Sequence, residues 1–315
     1  MYNKILITGG HGFVGKNLVG YLSKHLDHPN VKLCVPTKEQ MDILSPKDLS
    51  ETFFNFRPDC VINLAAVCGG IGANQNAPGD FILYNLKFGL NLIDTIRLHS
   101  PDAKLIQVGS ICAYPKYCTV PFKEGDLWNG YPEETNAPYG IAKKTITELT
   151  LALHAQYGFN CVNLYPVNLY GPQDSFDLNT SHVIPAIIRK VDHAKQNNEN
   201  EVVFWGTGSA TRDFLYVKDF CQAVKAAIIK EPGPEPINIG TETELPIKYI
   251  VAKICEIMKY DGDIFWDDSK PDGQPRRCVS IQRAKERLDY LPEHNIITGL
   301  HHTIEWYEKY KEYII

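Results

Sequence analysis

The opening of the chain is constrained by a run of glycines. Ile5–Thr8 is a short apolar stretch, and Gly9, Gly12 and Gly15 follow at intervals of three within ITGGHGFVG. Glycine permits the tight turn by which a strand feeds a helix, and it lets backbone approach a ligand closely. The helix that follows offers unpaired N–H groups and the positive end of its dipole, which suit a phosphate. The same triplet also occurs in plain strand–helix turns. Its place at the first strand, ahead of repeating strand–helix units, predicts a dinucleotide pyrophosphate held by Gly9, Gly10, His11, Gly12, Phe13, Val14 and Gly15.

The repeat is readable downstream. Strands are predicted at Ile5–Thr8, Lys32–Val35, Val61–Ala65, Leu105–Gly109 and Val162–Tyr165, bounded by Gly, Pro or polar residues. Helical patterns fall between them, near Val14–Lys24, Pro46–Phe56, Phe81–Leu98 and Tyr139–Tyr157. This predicts an α/β fold, a Rossmann-type doubly wound parallel sheet covered by helices on both faces. The rhythm changes after Pro172. A helix begins near Ser181, strands are predicted at Val202–Phe204 and Ile237–Ile239, and a KPDG turn lies at Lys270–Gly273. The expected division is a dinucleotide-binding domain over residues 1–175, with the chain returning to it around 210–242, and a smaller, mostly helical substrate lobe over 176–315.

Composition narrows the partners. The 315 residues carry a formal net charge of -5 with the two signs mixed, so nucleic acid is not an expected partner. No apolar stretch approaches the ~20 residues needed to span a membrane. The cysteines number nine, irregularly spaced and without a CxxC pair. Neither a disulfide framework nor a metal site is expected, and reduced thiols point to the cytoplasm.

Chemistry enters with Tyr139 and Lys143, spaced YxxxK on a predicted helix so that both share one face. A free phenol titrates near pH 10, and a neighbouring cation is expected to lower that value. Such a phenol can exchange a proton with a carbonyl. Ser110 closes the predicted strand Leu105–Gly109, at the carboxyl end where such sheets bind ligands, and its hydroxyl can polarise the same carbonyl. The three together predict proton-coupled hydride transfer with a nicotinamide cofactor. At the end of the second strand no acid stands ready for a ribose hydroxyl. Lys38 follows instead and suits the 2′-phosphate of NADP over NAD, although Glu39 is its neighbour.

The glycine spacing, with Ser110 about thirty residues ahead of YxxxK, resembles the extended short-chain dehydrogenase/reductases. Longer stretches are similar to the GDP-L-fucose synthases within that group. These are NLAAVCGGIGAN with PGDFILYN, SICAYPK, NAPYGIAK, PVNLYGPQDSF with SHVIPA, WGTGSATRDFLYVKD and SKPDGQPRR, spread over nearly the whole chain. The resemblance implies an NADPH-dependent 3,5-epimerase and 4-reductase acting on GDP-4-keto-6-deoxy-D-mannose. It assigns epimerisation to Cys112 and His182, whose unperturbed pKa values of about 8.5 and 6.5 bracket neutrality. It implies further cofactor contacts at Asp42, Ile43, Ala65, Ala66, Lys143, Pro166, Asn168, Leu169 and His182. On the substrate side it implies Lys190, Trp205, Arg212, Lys270 and Asp272, with Lys190 standing where the family often shows Arg. It also implies a homodimer formed through the Tyr-bearing helix. Two alternatives stay open: the same chemistry on another GDP-4-keto sugar such as a heptose, or an NAD-dependent sugar-nucleotide 4-epimerase.

Overall fold

The computed structural model describes residues 2–26, 31–178, 180–270 and 272–314, so Pro271 of the KPDG turn lies outside the described residues. The first half runs β1 (Lys4–Thr8), α1 (Phe13–His25), β2 (Lys32–Cys34), α2 (Pro46–Phe56), β3 (Cys60–Asn63), α3 (Ile71–Asn76), α4 (Pro78–His99), β4 (Lys104–Val108), α5 (Ala137–Tyr157), β5 (Cys161–Pro166) and β6 (Asn168–Tyr170). The second half runs α6 (Val183–Gln196), β7 (Glu201–Trp205), β8 (Thr211–Arg212), β9 (Phe214–Tyr216), α7 (Val217–Ile229), β10 (Ile237–Ile239), β11 (Leu245–Pro246) and α8 (Ile247–Met258). It closes with β12 (Asp263–Asp267), β13 (Arg276–Arg277), α9 (Gln282–Leu288) and α10 (Ile296–Ile314).

Six strands form one parallel sheet in the order β10-β5-β4-β3-β1-β2. The strands are apolar on both faces, as a doubly covered sheet requires. Their period of two sorts the side chains. Ile5, Ile7, Ile62 and Ile106 join the core shared with Leu18 and Leu22 of α1 and Phe220 and Val224 of α7. Leu6, Val61 and Leu105 point the other way, into the core shared with Leu49 and Phe53 of α2, Leu92 and Ile96 of α4, and Ile146 of α5. The strand order reverses direction between β1 and β3. The carboxyl ends there diverge and leave a crevice.

A third core, around Ile187, Ile188, Ile250, Ile254, Leu300 and Tyr307, joins α6, α8 and α10. This second lobe is less purely helical than its sequence suggests. β12 pairs in parallel with β7 over five positions, from Asp263 with Glu201 to Asp267 with Trp205. Its first three residues, Asp263, Ile264 and Phe265, are exposed, so no in–out alternation announces the strand. β11, β8 and β13 form a small three-stranded sheet. One boundary matters for the site. β3 stops at Asn63, two residues short of its predicted end, and leaves Leu64–Ala66 as loop facing the crevice.

Candidate active site

The crevice is a cleft of about 860 Å³. The predicted pyrophosphate turn, Gly9–Gly15, lines it, as do Lys38, Asp42, Ile43, Ala65, Ala66, Pro166, Asn168 and Leu169. Ser110, Cys112, Tyr139, Lys143 and His182 line it as well. Every residue predicted for cofactor and catalysis therefore opens on one space.

The glycine turn is packed as tightly as its residues allow. Gly9 has φ +66, and a Cβ there would lie 2.8 Å from the Ala65 nitrogen. A Cβ on Gly15 would fall 2.4 Å from the Gly10 Cα, so α1 is pressed against the loop before it. Gly12 caps α1 and donates to the Gly9 carbonyl at 3.1 Å. The first turn of α1 holds no acid. Its leading N–H groups, which lack helical partners, are free for an anion. A dinucleotide pyrophosphate fits this cradle. On the rim, His11 Nε2 lies 3.0 Å from the Val35 carbonyl. Lys38 is exposed beside Glu39, whose carboxyl is held below its usual range by hydrogen bonds from its own backbone and from Thr37.

The wall that bears Ser110, Cys112 and Tyr139 is set by close contact between α5 and the turn after β4. Gly140 makes that contact, since a Cβ there would meet the Cys112 carbonyl oxygen at 2.3 Å. Tyr139 on the same helix turn is thereby brought to Ser110 and Cys112. Ser110 takes an extended backbone, and its Oγ accepts from the Cys112 N–H at 3.2 Å. One turn along α5, Lys143 donates from Nζ to the Val108 carbonyl at 3.0 Å and lies 5.7 Å from the Tyr139 ring centroid.

The electrostatics differ from expectation in one respect. Burial pushes the Tyr139 phenol well above its usual pKa, helped by Cys68 and Cys112 and opposed by the Ser110 hydrogen bond. Desolvation outweighs the cation here because Lys143 is itself desolvated, its pKa lowered to about 8. Tyr139 is thus a protonated phenol, ready to donate. His182 is the N-cap residue of α6, exposed and opening on the cleft. Desolvation by the cleft walls lowers its pKa from the usual histidine value, which favours the neutral imidazole at pH 7.

The residues predicted for substrate lie outside the cleft lining, in the second lobe. Arg212 is buried and donates to the carbonyls of Thr211 (2.7 Å), Gln274 (2.6 Å) and Asp272 (3.3 Å). Asp272 accepts from the Thr207 N–H and hydroxyl at 2.8 and 2.7 Å. Trp205 is 61% exposed, with Lys190 and Lys270 at 6.0 and 5.9 Å from its ring. Lys190 also donates to the Val203 carbonyl at 2.9 Å.

The site holds residues that sequence reasoning passed over. Cys68, Asn74 and Asn136 line the cleft. Arg277 donates to the Cys112 sulfur at 3.5 Å and to Gln274 Oε1 at 2.6 Å. Cys68, Asn74, Asn136, Gln274 and Arg277 all stood within the stretches read as motifs, but nothing in their spacing separated them from neighbours. Among the described residues no group of His, Cys, Asp and Glu is placed to hold a metal, all nine cysteines are free, and no helix is long and apolar enough to cross a membrane.

A model of the NAD dependent epimerase/dehydratase family matches residues 5–240. A probable GDP-L-fucose synthase 1 of Oryza sativa subsp. japonica is 37% identical, over 96% of this chain and 92% of that protein. Among solved structures, a GDP-6-OMe-4-keto-L-xylo-heptose reductase from C. jejuni superposes with a TM-score of 0.89 at 25% identity, covering 98% of each chain. A GDP-L-fucose synthetase from Naegleria fowleri bound to NADP gives a TM-score of 0.86 at 25% identity, covering 99% of this chain and 95% of that one.

Proposed function

The chain belongs to the NAD-dependent epimerase/dehydratase family, and from that premise we propose that it converts GDP-4-keto-6-deoxy-D-mannose to GDP-L-fucose, inverting C3 and C5 and then reducing C4. The observation that carries this reading is the convergence of Ser110, Cys112, Tyr139, Lys143 and His182 on the cleft that also holds the glycine turn. The enzyme uses NADP(H). Bound along the cleft, NADPH supplies the hydride that reduces C4.

Each side chain then has a task suited to its state. The C4 carbonyl acidifies the protons on C3 and C5. Neutral His182 can take a proton, and the Cys112 thiol can give one from the other side. Ser110 and Tyr139 hydrogen-bond O4 and stabilise the negative charge that gathers there during each inversion. In the last step Tyr139 gives its proton to O4. Charged Lys143 then stabilises the phenolate left behind. A phenol held protonated by burial suits this reducing direction.

Arg212 suits the diphosphate and Trp205, flanked by Lys190 and Lys270, suits the base or sugar. The reading extends to a homodimer. α4 and α5 pack together, and Leu83, Leu90 and Trp128 are 45–47% exposed, with a shallow groove lined by Trp128, Ile141, Leu149 and Ala152 nearby. Nine free thiols are in keeping with the cytoplasm.

The test is incubation with GDP-4-keto-6-deoxymannose and NADPH in D2O. Reduced product carrying deuterium at both C3 and C5 is expected. Reduction without label would remove Cys112 and His182 from the chemistry. A second reading changes only the sugar, to a GDP-4-keto-heptose, and the C. jejuni heptose reductase among the structural relatives favours it. Turnover of the heptose but not the 6-deoxyhexose would decide for it.

A further inference from the structure

The two residues of β13 are both arginines, and the structure treats them oppositely. Arg276 is exposed and grips Glu244, its Nε and Nη2 reaching the two carboxylate oxygens at 2.7 and 2.5 Å. Arg277 is 6% exposed and forms no ion pair among the described residues. Its nearest acceptors are uncharged: Gln274 Oε1 at 2.6 Å and the Cys112 sulfur at 3.5 Å.

Register makes this placement costly. In the parallel pair of β13 with β8, Arg277 stands opposite Arg212, which is also buried and also bonded only to carbonyls. Like charges directly across a sheet repel, and a buried cation without a counter-ion is expensive. The two guanidiniums share Gln274, whose carbonyl accepts from Arg212 and whose side-chain oxygen accepts from Arg277. Gln274 is tied in turn to the carbonyls of Pro115 and Lys116 at 3.3 and 2.8 Å. That anchors Arg277 to the turn that follows Cys112.

We propose that Arg277 is a positioning residue for epimerisation, holding the negative charge that the Cys112 sulfur carries on one side of each proton transfer. The inference rests on the epimerase reading above. In each inversion one carbon–hydrogen bond breaks, its electron pair passing toward O4, and one forms on the opposite face. If His182 takes the proton, Cys112 delivers the new one and is left as thiolate. If Cys112 takes it, the sulfur begins as thiolate and His182 as imidazolium, and His182 delivers its extra proton. Solvent then restores both groups. In either direction the guanidinium N–H meets a charged sulfur once per inversion, and this is the anion its own surroundings lack. Reduction at C4 moves no proton through sulfur and does not need Arg277.

The experiment compares Arg277→Gln, Arg277→Lys and, as a neighbour control, Arg276→Gln, each checked for folding by thermal melting. Two quantities are read without any reduction step. One is deuterium uptake from D2O into GDP-4-keto-6-deoxymannose. The other is the pH profile of Cys112 alkylation by iodoacetamide, followed by peptide mass spectrometry so that the other eight thiols do not interfere. Arg277→Gln is expected to slow deuterium uptake by about 10- to 100-fold and to move the alkylation profile to higher pH. Arg277→Lys is expected to keep the wild-type profile, and Arg276→Gln to change neither quantity. An unchanged alkylation profile in Arg277→Gln overturns the proposal, as does an Arg277→Lys profile displaced as far as that of Gln. If the Gln variant does not fold, the Lys variant alone carries the test: a wild-type profile supports the proposal and a displaced one overturns it. Alkylation involves no sugar, so its result stands apart from the epimerase reading. That reading fails separately if the wild-type enzyme takes up no deuterium.

Discussion

The two walls of this enzyme are built in different ways. On the first, Ser110 follows the five-residue strand β4, and Tyr139 and Lys143 ride the 21-residue helix α5. On the second, Arg212 and Arg277 sit on strands of two residues each, held by carbonyls and by Gln274 rather than by a long ladder. Lys38, on the rim, belongs to a loop. The first wall is positioned by backbone periodicity and the second by side-chain networks. Changes on the first wall should therefore cost more.

The sharpest test of that contrast is Tyr139→Phe. It removes the proton given to O4, and reduction should fall by ~10²–10⁴-fold. Deuterium uptake at C3 and C5 should survive at a reduced rate, because Ser110 still faces O4. Loss of both activities together would mean that Tyr139 serves the inversions as fully as the reduction.

Next in size is Gly140→Ala. A methyl placed 2.3 Å from the Cys112 carbonyl must push α5 away from the turn that bears Ser110 and Cys112. A displacement near 1 Å at reacting groups costs on the order of 10²-fold. Both deuterium uptake and reduction should drop, since both depend on this contact, while NADPH binding measured by fluorescence should hold. A variant with wild-type rates would show that α5 does not set the catalytic geometry.

The pH profiles give a gentler test of the same division. Lys143 loses its charge as pH rises through about 8, so kcat/KM for reduction should fall on the alkaline side, approaching tenfold per unit. Where His182 is the base, it gains a proton as pH falls below its depressed pKa, so deuterium uptake should fail on the acid side. Opposite limits for the two reactions are expected. Coincident profiles would mean that one group governs both.

The same contrast explains what the sequence made legible. β1 to β5, α1, α2, α4 and α5 were readable because apolar period and glycine punctuation act over many residues. Ser110, Tyr139 and Lys143 were readable with them, since a strand end and an i, i+4 pair fix direction in space. Arg212 and Trp205 carry no such marker, and their expected substrate roles rest on resemblance and on the fit of a guanidinium to phosphate. Arg277 carries no sequence marker either. Its contact with Cys112 spans 165 positions and depends on the register of β13 against β8. The raised pKa of Tyr139 is invisible to the sequence for a related reason. A YxxxK spacing reveals the cation beside a phenol but not how deeply both are buried.

The smallest effect belongs to the rim. Lys38 is exposed, and its neighbour Glu39 carries the opposite charge. An exposed ammonium against a phosphate is screened by water and salt, so its contribution is modest. Lys38→Ala should raise the KM for NADPH by about twofold to fivefold at low ionic strength, leave kcat unchanged, and leave the KM for NADH where it was. The difference between variant and wild type should shrink as salt is added, because only a loop-held surface charge has been removed. A fall in kcat instead would tie Lys38 to the catalytic wall. An equal rise in both cofactors' KM would show that it acts on the adenosine moiety they share, and the preference for NADP would then have to come from elsewhere in the turn Val35–Asp42.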